Sequence, residues 1–333
     1  MKGERATAVQ TANQKADAQR ALLTRSAAVA SMSVAILLLG MKLYATIHTG
    51  STAMLGSLAD TVLDIVASFV TLIGVWVAAQ PADAAHRFGH GKAEALAALI
   101  QVVLISVSAV GIAGRAIEVW VNGRRVEDAE TGITVSLIAM AATILLLLWQ
   151  RHVIRRTGSI AIQTDHVHYR SDIFLNIAVI AALGLDQYAG ISGADSVFAM
   201  GIAIWLGWNA WDASRHAVDN LMDREWPIEK RQRMLDAIRD NPALMGVHDL
   251  RTRTAGNRDF AQFHITVDPD MTVAEAHEVM DEIEAELLAI FPDTEFLMHT
   301  DPEGHVEPHM EQPPVDLLAK GVDADVKDGP VRA

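Results

Sequence analysis

Asp60 and Asp64 lie in the stretch SLADTVLDIVAS, residues 57–68, inside a run that is otherwise apolar from Ala53 to Ala79. His168 and Asp172 repeat the same four-residue spacing in TDHVHYRSDIFLN. On a helix, positions i and i+4 project from one face about a turn apart. Two such helices facing each other bring three carboxylates and one imidazole to a single point. That is the donor set of a tetrahedral divalent transition metal such as Zn²⁺. A central Asp in a membrane span costs roughly 2.5–3.5 kcal/mol, and a bound cation offsets it. The plainer alternative is a set of polar side chains bonded helix to helix for packing.

Two further groups of ligand-type residues stand outside these runs. In PADAAHRFGHGKAEAL, Asp83, His86 and His90 have the chemistry for another cation, with Gly89 and Gly91 allowing a tight loop. Taken alone they read rather as solvated loop residues, and three ligands leave an open geometry. Towards the C-terminus come His248, His264, His277, His299 and Asp301. His299 and Asp301 are two apart and share a strand face. Singly each is an ordinary surface histidine; five ligand-type residues in one small domain make metal binding an equal alternative.

These residues need elements to hold them. The chain has 333 residues, 51% of them hydrophobic, and a mean hydropathy of +0.22. Six apolar segments stand out, at about 27–47, 53–79, 94–121, 131–151, 160–186 and 192–212, each long enough to span a bilayer. Charged residues are sparse from about 27 to 215 and dense from about 223, which predicts a membrane domain followed by a soluble one. Lys2, Arg5, Lys15, Arg20, Arg25, Arg87, Lys92, Arg151, Arg155 and Arg156 fall on one side, which predicts cytoplasmic termini. The opposite loops hold only Arg124 and Arg125, beside Glu127, Asp128 and Glu130. A net charge of −14 argues against nucleic acid as a partner. With no cysteine, any metal must use His and carboxylate.

After Pro227 the pattern changes to that of a small folded domain. PIEKRQRMLDAIRDNP has helical spacing, and DFAQFHITVD alternates Phe263, Ile265 and Val267 against Gln262, His264 and Thr266. VHDLRTRT and TEFLMHTD read as two more strands, around a helix with Thr272 as N-cap and Glu275 completing a capping box. The order αββαβ predicts a two-layer α+β domain with its helices on one face of a sheet. The expected organisation is therefore a polar cytoplasmic lead-in (1–26), a six-helix transmembrane domain (27–213) and a linker (214–226). A cytoplasmic metal-binding domain (227–303) and a disordered acidic tail (304–333) follow.

GSLADTVLDIVAS, PADAAHRFGHGKAEALAAL, HYRSD and HDLRTRTAG together resemble the cation diffusion facilitators, in particular their bacterial zinc and ferrous-iron efflux type. The similarity runs from about residue 20 to 303. The resemblance implies a membrane transport site of Asp60, Asp64, His168 and Asp172. It assigns Asp83, His86 and His90 to a loop site, and His248, His264, His277, His299 and Asp301 to a two-metal cytoplasmic site. It further implies a homodimer in the bacterial inner membrane, a metallochaperone-like (ferredoxin-like) cytoplasmic fold, and a junction charge pair of Lys92 and Asp223. Thr300 stands where relatives often carry Gln, and the tail adds His305 and His309.

The expected function is secondary active efflux of a divalent metal against protons. Zn²⁺ is both cargo and structural ion, with Cd²⁺ or Fe²⁺ as alternative substrates; the protein is not an enzyme. A passive divalent-cation channel and a membrane-anchored metal sensor are the alternatives. An intramembrane metalloprotease would need H-E-x-x-H, which this chain lacks.

Overall fold

The computed structural model describes residues 2–49, 52–122, 130–189, 194–256, 258–305 and 315–322. Within these, the side chains of 2–17, 45–46, 48–49, 52–60, 122, 130–136, 179–180, 182–189 and 194–195 are not described. The chain divides into two compact units: Asp17–Leu221, and Met222–Ala333 together with Met1–Ala16.

The first unit is built from α1 (Lys2–Thr49), α2 (Thr52–Ala78), α3 (Ala93–Asn122), α4 (Glu130–Thr157), α5 (Ile160–Ala189) and α6 (Ala194–Leu221). Among the described residues, four stretches are long and apolar enough to cross a membrane: Ala18–Tyr44, Thr61–Ala78, Ala93–Val121 and Leu137–Thr157. At 30 and 28 residues, α5 and α6 are also long enough, about 42–45 Å at ~1.5 Å per residue. In α5 the polar run from Thr164 to Asp172 dilutes the hydropathy.

The helices are patterned for lipid rather than water. On α2, Thr61, Asp64, Ser68, Thr71 and Val75 are buried, at alternating three- and four-residue spacing. Val62, Val66, Phe69, Ile73 and Trp76 of the same helix face outward. In water such an arrangement would strand the polar groups inside and the apolar ones outside. In a bilayer each side meets its preferred surroundings. Small residues bring α2 and α3 close: a Cβ on Gly74 would lie 2.3 Å from Ala97 Cβ. Helix α6 runs on to Leu221, through residues expected to begin a linker at 214, because no Pro or Gly interrupts DASRHAVDNL.

The second unit holds α7 (Ile228–Ile238), β1 (Gly246–Ala255), β2 (Arg258–Val267), α8 (Val273–Ile290), β3 (Thr294–Pro302) and α9 (Leu317–Lys320). The sheet order is β1-β2-β3, antiparallel between β1 and β2 and parallel between β2 and β3. The parallel pair requires a crossover, and α8 supplies it. Phe263, Ile265 and Val267 of β2 pack with Met234, Leu235 and Ile238 of α7 and Ile283 and Leu287 of α8. The expected capping box is present: the Thr272 hydroxyl accepts from the Glu275 amide, and the Glu275 carboxylate accepts from the Thr272 amide.

The tail departs from the expectation of disorder over 304–333. Leu317 and Val322 are buried in the same core as the sheet and helices. Asp316 Oδ1 caps α9 through the Leu318 amide at 3.0 Å and takes the Val247 amide of edge strand β1 at 3.1 Å. Two apolar anchors and a capped turn are enough to hold a segment that overall composition reads as polar. Residues 306–314, including His309, and 323–333 lie outside the described residues.

Candidate metal centres

Helices α2 and α5 carry the membrane cluster. One ligand atom each from Asp64, His168 and Asp172 falls within 4.8 Å of the others. His168 Nε2 sits 2.9 Å from Asp64 Oδ1, and both residues are buried. Among the described residues, the other ring nitrogen of His168 is buried without a hydrogen-bond partner. The side chain of Asp60 lies outside the described residues; its backbone places it one turn before Asp64 on α2. Two carboxylates and an imidazole converging in an otherwise apolar helix bundle suit a divalent cation.

The loop cluster forms between α2 and α3. Asp83 Oδ1 accepts from the amides of His86 (2.6 Å) and Ala85 (2.8 Å), which folds the loop over its own carboxylate. Gly89, at φ +82°, turns the chain back while its amide bonds the His86 carbonyl. His86 Nδ1 is then 3.4 Å from Asp83 Oδ1 and His90 Nε2 is 3.5 Å from Asp83 Oδ2. The hydrogen bond from the His86 amide, aided by that of Ala85 against slight desolvation, holds the Asp83 carboxyl below its usual range. An ionised carboxylate beside two imidazoles, open to solvent on one side, could hold a cation.

In the second unit the sheet register does the assembly. His248 pairs with His264, and His264 with His299, so three histidines stand in one row across β1, β2 and β3. Asp301, two residues beyond His299, reaches back along that face. Its Oδ2 is 2.8 Å from His264 Nδ1 and 3.2 Å from His248 Nε2, and its Oδ1 is 3.3 Å from His299 Nε2. Phe263 and Ile265 on the opposite face of β2 are in the core, so the alternation that buries them turns His264 away from the helices.

Burial would raise the Asp301 carboxyl, but the His264 hydrogen bond and the neighbouring imidazoles hold it below its usual value. Burial, then the charge of His264, lowers His248 from its ordinary value. A neutral imidazole and an ionised carboxylate are the protonation states a metal needs.

His277 is not brought to this row; it is exposed on α8. Sequence reasoning missed Asp249, whose backbone takes φ +49° at a bulge in β1 and whose carboxylate lies 3.8 Å from His264 Nε2. Its place beside His248 in the HDLRTRT stretch was the available signal. It also missed Asp165, a fully buried carboxylate on α5, and Lys42 of α1, whose Nζ is 2.6 Å from Thr61 Oγ1. Both are ionisable residues inside apolar runs, which was reason enough to single them out. Lys92 Nζ donates to the Leu221 carbonyl at 3.2 Å, and Asp223 faces Arg253 at 3.7 Å, each within its own unit.

A unit of long apolar helices with Asp64, His168 and Asp172 meeting between α2 and α5, and a small domain with a His/Asp row, fit a membrane transporter of cations. Residues 28–222 match the cation efflux transmembrane domain, and residues 226–303 match the cytoplasmic domain of cation efflux proteins. The chain belongs to the cation efflux (cation diffusion facilitator) family.

Among its relatives, it is 41% identical over 280 residues to the cation-efflux pump FieF of Escherichia coli O1:K1, covering 84% of this chain and 93% of the relative. FieF of Shigella sonnei strain Ss046 matches with the same figures. The small domain aligns with the metal-bound C-terminal domain of the CzcD transporter from Thermotoga maritima, at 30% identity and TM-score 0.23, covering 24% of this chain and 93% of that one. Like its relatives, the chain is a cation efflux transporter of the membrane, and its family is one of transporters rather than enzymes.

Proposed function

We propose that this protein exports a divalent transition metal, Zn²⁺ foremost and Cd²⁺ or Fe²⁺ as alternatives, from the cytoplasm in exchange for protons. It does so as a homodimer in a bacterial inner membrane, with both termini cytoplasmic. The observation that carries the reading is the meeting of Asp64, His168 and Asp172 between α2 and α5. Asp60 is the fourth ligand, one turn away on α2. The FieF relatives are named as efflux pumps, which supports the direction.

A histidine titrates near ~6.5, and only its neutral form binds metal. Competition between cation and proton at His168 therefore couples the two flows when the site is exposed to each side in turn. Rocking of helix groups about a site fixed near the middle of the bilayer is the general way such exposure alternates. Carboxylates at Asp64 and Asp172 supply the charge that lets a divalent ion lose its hydration inside the bundle.

The loop and cytoplasmic sites lie off this path. Asp83, His86 and His90 bind a cation at the surface, and His248, His264, His299 and Asp301, with His277, hold two ions that stabilise the dimer or sense metal. Lys92 and Asp223 help to hold the dimer at the junction.

The test is metal flux into proteoliposomes under an imposed pH gradient. Zn²⁺ uptake coupled to proton movement is expected from the intact chain, and loss of that flux from Asp64→Ala. Flux indifferent to the gradient would instead make the protein a passive channel.

A further inference from the structure

Asp165 lies on α5, three residues before His168, and is fully buried. Nothing in the transport chemistry uses it, yet a carboxylate in a membrane span is costly enough to need a reason. Its surroundings come from four other helices. Oδ2 is 2.7 Å from Ser31 Oγ of α1 and 2.7 Å from Gln150 Nε2 of α4. Oδ1 is 3.1 Å from Gln101 Nε2 of α3 and 3.4 Å from Thr71 Oγ1 of α2. Ser31, Thr71, Gln101 and Gln150 are themselves buried. A carboxylate offers about four acceptor positions, and four side chains approach them here, the Ser31 and Thr71 hydroxyls sharing their protons with the Ala27 and Ala67 carbonyls of their own helices.

Helices α1, α2 and α5 meet again one turn on. Tyr169 Oη lies 2.8 Å from Ser68 Oγ of α2 and donates to the Ser31 carbonyl of α1 at 3.2 Å. Along α2, residues 64, 68 and 71 form one stripe; along α5, residues 165, 168, 169 and 172 form the facing one. Three contacts join the two stripes: Thr71 to Asp165, Ser68 to Tyr169 and Asp64 to His168. Rotating or sliding α5 enough to part His168 from Asp64 would strip the Asp165 carboxylate of its donors in a dry interior. The reverse also holds: while that hub is intact, the ligands on α5 are held at a fixed distance from those on α2.

We infer that Asp165 is a positioning residue of the membrane site: a metal-free carboxylate that fastens α5 to α1, α2, α3 and α4 and so sets the size of the cation that Asp64, His168 and Asp172 accept. The inference rests on the reading of that cluster as the transport site. A site held to one size discriminates between ions of equal charge and different radius, so Asp165 acts on selectivity without touching the ion.

The experiment measures initial rates of Zn²⁺ and Cd²⁺ uptake by the full chain in proteoliposomes, for the parent, Asp165→Asn, Asp165→Asn with Gln150→Glu, Thr71→Val and Asp64→Ala. Asn keeps the shape of Asp but turns one acceptor oxygen into a donor facing donors. KM for Zn²⁺ should rise about 10–100-fold in Asp165→Asn with kcat little changed, the range seen when groups that orient metal ligands are removed. The preference between Zn²⁺ and Cd²⁺ should narrow. Gln150→Glu returns a carboxylate to the hub from the other side and should recover part of the lost KM. If Asp165→Asn does not fold, Thr71→Val removes a single donor and should shift the Zn²⁺/Cd²⁺ preference the same way.

Unchanged KM and preference in whichever of these variants folds would overturn the inference. So would a fall in kcat with KM untouched, which would make Asp165 a proton carrier instead. Asp64→Ala separates the two levels of the argument. If it transports normally, the membrane-site reading fails. If it is inactive while Asp165→Asn behaves as the parent, only the role of Asp165 fails.

Discussion

His168 Nε2 and Asp64 Oδ1 are 2.9 Å apart, although 104 residues separate them in the chain. The contact joins the first third of α5 to the middle of α2. Removing either partner leaves the other buried without its counterpart. His168→Ala should therefore weaken Zn²⁺ transport by more than about 100-fold, beyond what the loss of an outer-shell group costs a metal site. Uptake by proteoliposomes across a range of Zn²⁺ concentrations checks this. A variant with near-parent KM and kcat would remove His168 from the ligand set.

In the soluble unit, His264 occupies the middle of the histidine row and makes the closest contact to Asp301. His264→Ala should reduce the number of ions bound per chain or lower their affinity at least about tenfold, while leaving transport measurable. His277→Ala bears on an exposed residue away from the row, so its effect on binding in a monomeric sample should be small. Calorimetric titration with Zn²⁺ distinguishes the two.

Acid should loosen this unit in two stages. His248 is lowered from the usual ~6.5, so the unfolded chain binds its proton more readily than the folded one. The stability that difference supplies is complete above ~6.5 and drains away as pH falls towards the folded value. Asp301 is likewise lowered, so its contribution is present above ~3.9 and is lost as pH drops through its folded value. Thermal melting of a metal-free fragment beginning at Met222 should give a falling Tm between pH 7 and 5, and a further fall below 4. His248→Asn should flatten the first stage.

The docked tail predicts a stability effect outside the residues that match the family's cytoplasmic domain, which end at 303. Leu317 is fully buried, so Leu317→Ala should cost about 2–5 kcal/mol of unfolding free energy in that unit. Chain ended after residue 303 should lose at least as much. Denaturant unfolding that is unchanged by either alteration would show that the tail leaves the core.

Close approach of α2 to α3 makes Gly74 sensitive to size. A Cβ there meets Ala97 Cβ at 2.3 Å, so Gly74→Ala should destabilise the helical unit by about 1–3 kcal/mol. Ala97→Gly in the same chain should restore much of it. The melting temperature in detergent reads both steps, and failure of the second change to help would place the strain elsewhere.

Much of this protein was legible in one dimension because its strongest constraints are local. Hydrophobic length set six helices, the switch from helical to alternating spacing near Pro227 marked the second unit, and i, i+4 pairs pointed to the cluster in which Asp64, His168 and Asp172 meet. Thr272 and Glu275 announced their capping box because both partners lie within one turn. Alternation along β2 was enough to place His264 away from the core.

The rest depended on which distant segments meet. No spacing rule says that Ser31, Thr71, Gln101 and Gln150 surround Asp165, because each comes from a different helix. Strand register, not sequence distance, put His248, His264 and His299 in one row and left His277 out. Composition described the tail as polar and could not weigh Leu317 and Val322, whose burial requires the groove that the folded sheet and α7 provide. Periodicity reports which face of an element is apolar. What that face meets is settled by packing, where contact free energies from remote parts of the chain are summed.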